Sequence, residues 1–162
     1  MFGLLPSALR SVAVTFFAVA GLCWPVLASA DQEIVYHNMP GNAESNLPFS
    51  SAVQVGDTLY LSGALGNVPG TLELVPGGIK EETRRTMDTI KATVEQFGSS
   101  MDHVAKCTIF MADMSEWPAM NMVYRTYFKH LRARSALGAS GLALGARVEI
   151  ECIAVVPDMA SK

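Results

Sequence analysis

Apolar side chains repeat with two different periods along this chain of 162 residues. From Ile79 to Phe97 they recur at steps of three and four residues with charged residues between them, which predicts an amphipathic α-helix. Before and after this segment apolar and polar residues alternate, as they do in β-strands with one buried face. A chain that combines the two patterns in this way favours an α+β domain.

The alternating pattern predicts several short strands and places a second helix after residue 113. The helix has Ser115 as a candidate N-cap, and its apolar stripe comprises Trp117, Met120, Tyr124, Tyr127, Phe128 and Leu131. The predicted strands are Glu33–Tyr36, Ala52–Val55, Thr58–Gly63, Ala105–Met111, Arg132–Leu137 and Arg147–Ala154.

We expect a mixed β-sheet with both helices packed on one face. Ser62, Thr108 and Glu149 make the other face partly polar. We expect that face to be buried against other copies of the chain in a closed ring, rather than left to solvent.

Residues 1–30 are predicted to be a cleaved signal peptide. Arg10 is the one charged residue in this segment, the run from Val12 to Leu27 is almost wholly apolar, and Ala28-Ser29-Ala30 fits the small-x-small cleavage pattern. A transmembrane anchor is the alternative, but the run is shorter than the ~20 apolar residues of a spanning helix. We therefore expect an exported protein, periplasmic or secreted, with a single domain over residues 31–162 and no membrane attachment after cleavage.

Charge excludes some functional classes. The formal net charge of the whole chain is −3, and loss of residues 1–30 would remove one arginine and no acid. A mildly acidic, mixed surface argues against binding of nucleic acid or anionic lipid. The sequence contains no catalytic triad, phosphate-binding loop or dinucleotide fingerprint.

Cys107 and Cys152 each lie inside a strand-like run. Export permits a disulfide between them, whereas two small buried hydrophobic side chains are the simpler interpretation, and the sequence leaves both open. His37, His103 and His130 occur singly, without another ligand at metal-binding spacing, so no metal site is predicted.

Arg134 and Glu149 are the candidate functional residues of the last third of the chain. An arginine at the start of a strand can hold a small carboxylate through two parallel hydrogen bonds, although a surface ion pair is the simpler alternative. Glu149 and Glu151 alternate along an apolar strand and share one face, so each needs an exposed edge, a partner charge or a bound water. Surface exposure suits Glu151 better than Glu149.

The chain resembles the RidA family, also called the YjgF or L-PSP family, from about Pro48 to Val156. Such a set of collinear segments supports the fold and, less directly, the activity. The segments that carry the resemblance are Pro48-Phe49-Ser50-Ser51-Ala52-Val53, Leu61-Ser62-Gly63, Gly78-Ile79 with Glu82-Thr83, Asn121-Met122-Val123-Tyr124, Ala133-Arg134-Ser135 and Val148-Glu149-Ile150-Glu151-Cys152-Ile153-Ala154.

The resemblance implies a chorismate-mutase-like α+β fold that assembles as a homotrimer, with ligand sites in the clefts between subunits. It implies hydrolysis of reactive enamine and imine intermediates of amino acids to a 2-oxo acid and ammonia, without a metal or organic cofactor. By the same resemblance Arg134 binds the substrate carboxylate and Glu149 helps to hold the attacking water. The implied substrate-binding positions also include Phe49, Ser62, Gly63, Asn121 and Ala136.

This chain departs from the family pattern at several of these positions. Phe49 replaces a pocket tyrosine, Ser51 replaces a glutamine, Ala136 replaces a cysteine, and Arg132 replaces a proline, which adds a second positive charge near the cleft. These departures affect substrate preference. The alternative function is a binding module of the same fold that holds a small carboxylate or metabolite without turnover. A third activity, that of a ribonuclease, fits the acidic charge poorly.

Overall fold

The computed structural model describes residues 32–40 and 47–157, which contain six strands and two α-helices. The predicted segment 1–30 lies outside the described residues, so the domain boundary near residue 30 remains a prediction. The helices are α1 (Ile79–Gln96) and α2 (Trp117–Tyr124). The strands are β1 (Ile34–His37), β2 (Ala52–Val55), β3 (Thr58–Leu61), β4 (Val104–Met111), β5 (Ala133–Gly138) and β6 (Val148–Val155). In the described ranges neither helix is long and apolar enough to cross a membrane.

The six strands form one mixed sheet in the order β1-β2-β3-β6-β4-β5. Strands β4 and β5 are parallel, and the other neighbours are antiparallel. The chain segment between β4 and β5 contains α2, as a parallel connection requires a crossover. The predicted α+β class and the mixed sheet are therefore confirmed.

Both helices lie on one face of the sheet, and the core lies between the two layers. The largest fully buried side chains include Met87 and Ile90 of α1, Met120 of α2, and Ile109 and Ile150 of the central strands. The same α1 residues were predicted to be buried from their spacing. Burial of each such side chain contributes about 1.5–3 kcal/mol.

Helix α1 ends as its sequence predicts. Gly98 has a φ of 82°, and its N–H donates to the carbonyl oxygen of Glu95. The N–H of Ser99 donates to the carbonyl oxygen of Val94 at 2.8 Å, which completes a Schellman motif. Glycine adopts this left-handed conformation without steric cost.

The second helix differs from its prediction at both ends. Helix α2 follows a 3-10 turn at Met114–Glu116, and Oδ1 of Asp113 caps that turn by accepting from the N–H of Ser115 at 2.8 Å. The N-cap position of α2 itself is Glu116, which makes no side-chain cap hydrogen bond, so the N-cap assignment to Ser115 was wrong. Helix α2 ends at Tyr124 and is followed by a 3-10 turn at Arg125–Tyr127. The predicted apolar stripe therefore stops early, and Leu131 is 92% exposed.

A disulfide joins Cys107 of β4 to Cys152 of β6. The two residues are directly paired across the antiparallel strands, and both side chains are buried against the helices. The interpretation as two unlinked hydrophobic side chains was wrong. The sequence alone does not give the register of β4 and β6, and that register brings the two cysteines opposite each other.

We expect reduction of this bridge to lower the free energy of unfolding by about 2–4 kcal/mol, because the bridge closes a long loop in the unfolded chain. The measurement is urea unfolding of the oxidised and the reduced protein at one protein concentration. The Cys107→Ala/Cys152→Ala variant is the control and should not respond to the reductant. Equal midpoints for the oxidised and reduced protein would contradict the prediction.

Candidate functional site

Arg134 lies on the edge strand β5 and is half-buried. It pairs in register with Cys107 of β4, so its side chain lies on the helix-covered face of the sheet. Its Nη1 donates to Oδ1 of Asn121 at 2.7 Å, and its Cζ lies 5.0 Å from the ring centroid of Tyr124 and 5.5 Å from that of Trp117. Helix α2 thus supplies one hydrogen-bond acceptor and two aromatic faces that hold the guanidinium group.

No carboxylate forms an ion pair with Arg134 within residues 32–40 and 47–157. The recorded hydrogen bond uses Nη1, which leaves the edge formed by Nε and Nη2 without a partner in the same ranges. That edge of a guanidinium group matches a carboxylate through two parallel bonds. Arg134 is therefore a half-buried cation without a counter-ion, and its free edge is suited to a carboxylate.

Tyr124 contributes a buried ring and a hydroxyl group next to Arg134. Its ring is buried, and burial raises the pKa of its hydroxyl despite the opposing effect of the nearby Arg134. The hydroxyl oxygen has no hydrogen-bond partner among the described residues. Sequence reasoning assigned Tyr124 to the apolar stripe of α2 and missed its contact with Arg134. The available signal was its spacing of three residues from Asn121, which places both on one side of a helix.

These groups line a cleft with a volume of about 390 Å³. The lining contains three arginines and no acidic side chain, and consists of Asn121, Tyr124, Arg125, Phe128, Leu131, Arg132 and Arg134. A concave site with one sign of charge concentrates ligands of the opposite charge. The cleft is therefore suited to a small anion.

Glu149 lies on β6 and is half-buried on the opposite face of the sheet, which the helices leave open. It lies close to Gly63, where a Cβ atom would collide with the carboxylate. Any other residue at position 63 would shift the carboxylate of Glu149, so this glycine serves the close approach and not a special backbone angle.

Ser62 precedes this glycine and anchors the chain after β3. Its hydroxyl donates to the carbonyl oxygen of Ser50 at 2.7 Å, and its N–H donates to that of Ser51 at 3.1 Å. Phe49, the neighbour of Ser50, is 54% exposed. The segment that carries Phe49 is thereby held beside Ser62 and Gly63.

The register of the sheet places Arg134 and Glu149 on opposite faces. Glu149 pairs with Phe110 of β4, and Arg134 pairs with Cys107, which is three residues away on the same strand. Because side chains alternate along a strand, an odd separation puts them on opposite sides. A single copy of the chain therefore does not bring these two candidate residues together.

The predicted site residues fall into two groups. Asn121, Arg134 and Ala136 lie together between β5 and α2, with Ala136 two residues from Arg134 on the same face. Ser62 and Gly63, directly after β3, form the second group with Glu149 of β6, and the Phe49 segment lies beside them. No cluster of three or more metal-binding side chains occurs in the described part of the chain.

Comparison with known proteins gives one consistent result. The sequence profile of the family described as "Endoribonuclease L-PSP" matches residues 40–156. The 2-iminobutanoate/2-iminopropanoate deaminase of Mus musculus is 41% identical over 109 residues, covering 67% of this chain and 81% of that protein. A protein of the same name from Dermatophagoides farinae is 43% identical over 110 residues, covering 67% of this chain and 86% of that protein.

Solved structures agree with the sequence comparison. The Rid-family protein YyfA of Yersinia pestis superposes with a TM-score of 0.71 at 35% identity, covering 76% of this chain and all of that one. E. coli TdcF, solved with bound serine, has a TM-score of 0.64 at 28% identity, covering 67% of this chain and 88% of that one.

The predictions of a signal peptide and a periplasmic location must be corrected. The family match begins at residue 40, and the names of the matched proteins refer to imine deaminases and to Rid, RutC and L-PSP proteins. None of these findings indicates a signal peptide or the periplasm. The prediction depended on the apolar composition of residues 1–30, and these residues lie outside the described ranges.

We expect Asn121→Asp to weaken binding of a small carboxylate such as pyruvate about 10- to 100-fold, because the new carboxylate would pair with Arg134 and compete with the ligand. The measurement is calorimetric titration. Asn121→Ala is the matched control and should have a smaller effect, since it removes the acceptor without adding a charge. Unchanged affinity in Asn121→Asp would contradict the assignment of Arg134 as the anion-binding group.

Proposed function

We propose that this chain, which belongs to the RidA (YjgF or L-PSP) family, hydrolyses reactive enamines and imines of amino acids to 2-oxo acids and ammonia. The observation that carries the proposal is the half-buried guanidinium of Arg134, which has a free edge and no counter-ion in the part of the chain that the structure describes. Every 2-imino acid carries a carboxylate beside its imine carbon, and this edge matches it. The names of the relatives from mouse and Dermatophagoides farinae support the same chemistry.

The reaction needs a positioned water more than a strong nucleophile. A protonated imine carbon is already electrophilic, so orientation of the substrate and activation of water account for most of what a protein must supply. Water adds to that carbon to form a carbinolamine, and one proton moves from the water to the nitrogen. The carbon–nitrogen bond then breaks as the carbinolamine hydroxyl group loses its proton to form the carbonyl of the 2-oxo acid, and the ammonia that leaves takes up that proton as ammonium.

We assign the water to Glu149 and the substrate carboxylate to Arg134. Glu149 accepts the proton of the attacking water and returns it to the departing nitrogen. Gly63 allows the carboxylate of Glu149 to lie against the backbone. An enamine substrate first takes a proton at its β-carbon, which converts it to the imine before water adds.

Because Arg134 and Glu149 point to opposite faces, the complete site requires two copies of the chain. We propose a homotrimer in which Arg134, Asn121 and Ala136 of one copy face Ser62, Gly63 and Glu149 of the next. The open face of the sheet supports this assembly, because Tyr60 is 47% exposed and Leu137 is 44% exposed in the single chain. Closed rings bury such a face on every copy.

The description of the matched family as an endoribonuclease does not lead us to propose that activity here. The net charge of −3 opposes binding of an RNA backbone. A binding module without turnover remains the alternative, since Phe49 removes a hydroxyl that could reach a substrate.

We expect Arg134→Ala to reduce kcat/KM for 2-iminopropanoate about 100-fold, which corresponds to roughly 3 kcal/mol of transition-state stabilisation. Arg134→Lys should recover part of this loss, since it keeps the charge but not the paired donors. The measurement is release of ammonia from imine generated in situ by an amino-acid oxidase. Arg84→Ala is the control, because Arg84 is exposed and pairs with Glu81 on α1.

An unchanged rate in Arg134→Ala would refute the proposed mechanism. Stabilisation of the wild-type protein by a 2-oxo acid, with no ammonia released above the uncatalysed rate, would instead identify a binding module.

Mixing two impaired variants tests the shared site directly. Arg134→Ala and Glu149→Ala should each retain about a hundredth of wild-type activity or less, whereas subunits co-assembled in equal amounts should regain about a quarter of it, since a quarter of the sites in a random ring receive both intact groups. Each variant mixed with the Arg134→Ala/Glu149→Ala double variant is the control and should show no such recovery. No recovery after verified subunit exchange would show that both residues act within one chain.

A further inference from the structure

The cleft beside Arg134 holds more positive charge than one carboxylate requires. Arg125 and Arg132 line it together with Arg134, and no acidic residue does. Arg125 is exposed and forms no ion pair within the described ranges. Two further guanidinium groups are therefore available to a ligand that Arg134 has already bound.

Arg132 is held in a fixed orientation. Its side chain is 15% exposed, and its Nη2 donates to the carbonyl oxygens of Met101 at 3.3 Å and Asp102 at 3.0 Å. Its Cζ lies 5.7 Å from the ring centroid of Phe128. All of its recorded bonds use Nη2, which leaves Nη1 without a partner among the described residues. A cation held in this way loses little further freedom when it binds an anion.

Among the described residues, Asp102 is the acid that pairs with Arg132, and it also pairs with Lys129. Asp102 lies 3.8 Å from Arg132 but only 3.1 Å from Nζ of Lys129. The hydrogen bond from Lys129 is the main cause that lowers the pKa of the Asp102 carboxyl group, with Arg132 a lesser one. The carboxylate of Asp102 thus pairs with both Lys129 and Arg132, and these three groups together leave a net positive charge beside the cleft.

The spacing of Arg132 and Arg134 fits one small ligand. Residues two apart in an extended chain lie roughly 6.6 Å apart and direct their side chains to the same side. Because both side chains line the same cleft, their guanidinium groups can bind the two ends of one short dicarboxylate.

We propose that the preferred substrates are imines of acidic amino acids, whose second carboxylate binds to Arg132 and Arg125 while Arg134 holds the carboxylate beside the imine carbon. This inference rests on the proposed deaminase function and names its substrate class. A neutral side chain in the same cleft would leave Arg125 without an anion and Arg132 with only a carboxylate that it shares with Lys129, so the preference follows from the charge of the site.

The test compares two imines generated in situ by flavin oxidases, iminosuccinate from aspartate and 2-iminopropanoate from alanine. We expect wild-type protein to have the higher kcat/KM for iminosuccinate. Arg132→Gln and Arg125→Gln should each lower the ratio of the two kcat/KM values about 5- to 20-fold. Arg84→Gln is the matched control and should leave the ratio at its wild-type value.

The outcomes separate this proposal from the proposed function. Turnover of 2-iminopropanoate with a ratio that neither variant changes would overturn the dicarboxylate assignment and leave the deaminase standing. If wild-type protein turns over neither imine, calorimetric titration with succinate and propionate decides. Tighter binding of succinate that is lost in Arg132→Gln or Arg125→Gln would support the assignment, and equal binding would overturn it. Arg125→Gln keeps the test informative if the loss of the carbonyl contacts of Arg132 prevents folding.

Discussion

The parallel pairing of β5 with β4 determines where the candidate site lies. A parallel neighbour requires a crossover, and here the crossover carries α2. The helix must then lie beside the edge strand that it leads to, which sets Asn121, Tyr124 and Trp117 around Arg134. If β5 were antiparallel to β4 and joined to it by a short hairpin, the connection would carry no helix. The guanidinium group of Arg134 would then lie in open solvent.

Partial burial of a cation costs free energy unless neighbouring groups replace the water molecules that it loses. Arg134 obtains that replacement from an amide oxygen and from ring faces, which attract a cation without bringing a full negative charge. A neighbouring aspartate would stabilise Arg134 more strongly but would also occupy the edge that a carboxylate ligand needs. The arrangement is therefore stable enough to persist without a ligand and still open to one.

The local patterns of the sequence predicted most of the helices and strands but did not predict how the candidate site is arranged. The three- and four-residue spacing of apolar side chains predicted α1 and its buried face, and Gly98 predicted where the helix ends. Both features depend on neighbouring residues alone. The end of α2 at Tyr124 was not predicted, since Tyr127, Phe128 and Leu131 continue the same spacing while the chain turns away to reach β5. The disulfide and the opposite orientation of Arg134 and Glu149 depend on the register of β6, β4 and β5, which residues far apart in the sequence decide together.

The separation of Arg134 and Glu149 on two faces bears on how such a protein diversifies. Any side chain at position 63 would displace the carboxylate of Glu149, whereas the exposed Arg125 follows the end of α2, where substitution disturbs few contacts. Under the roles proposed above, the half that holds the water is constrained by backbone proximity, whereas the half that selects the ligand can change at its exposed arginine. In the proposed ring, gene copies that differ only in the second half would form clefts with different ligand preferences and the same proposed chemistry.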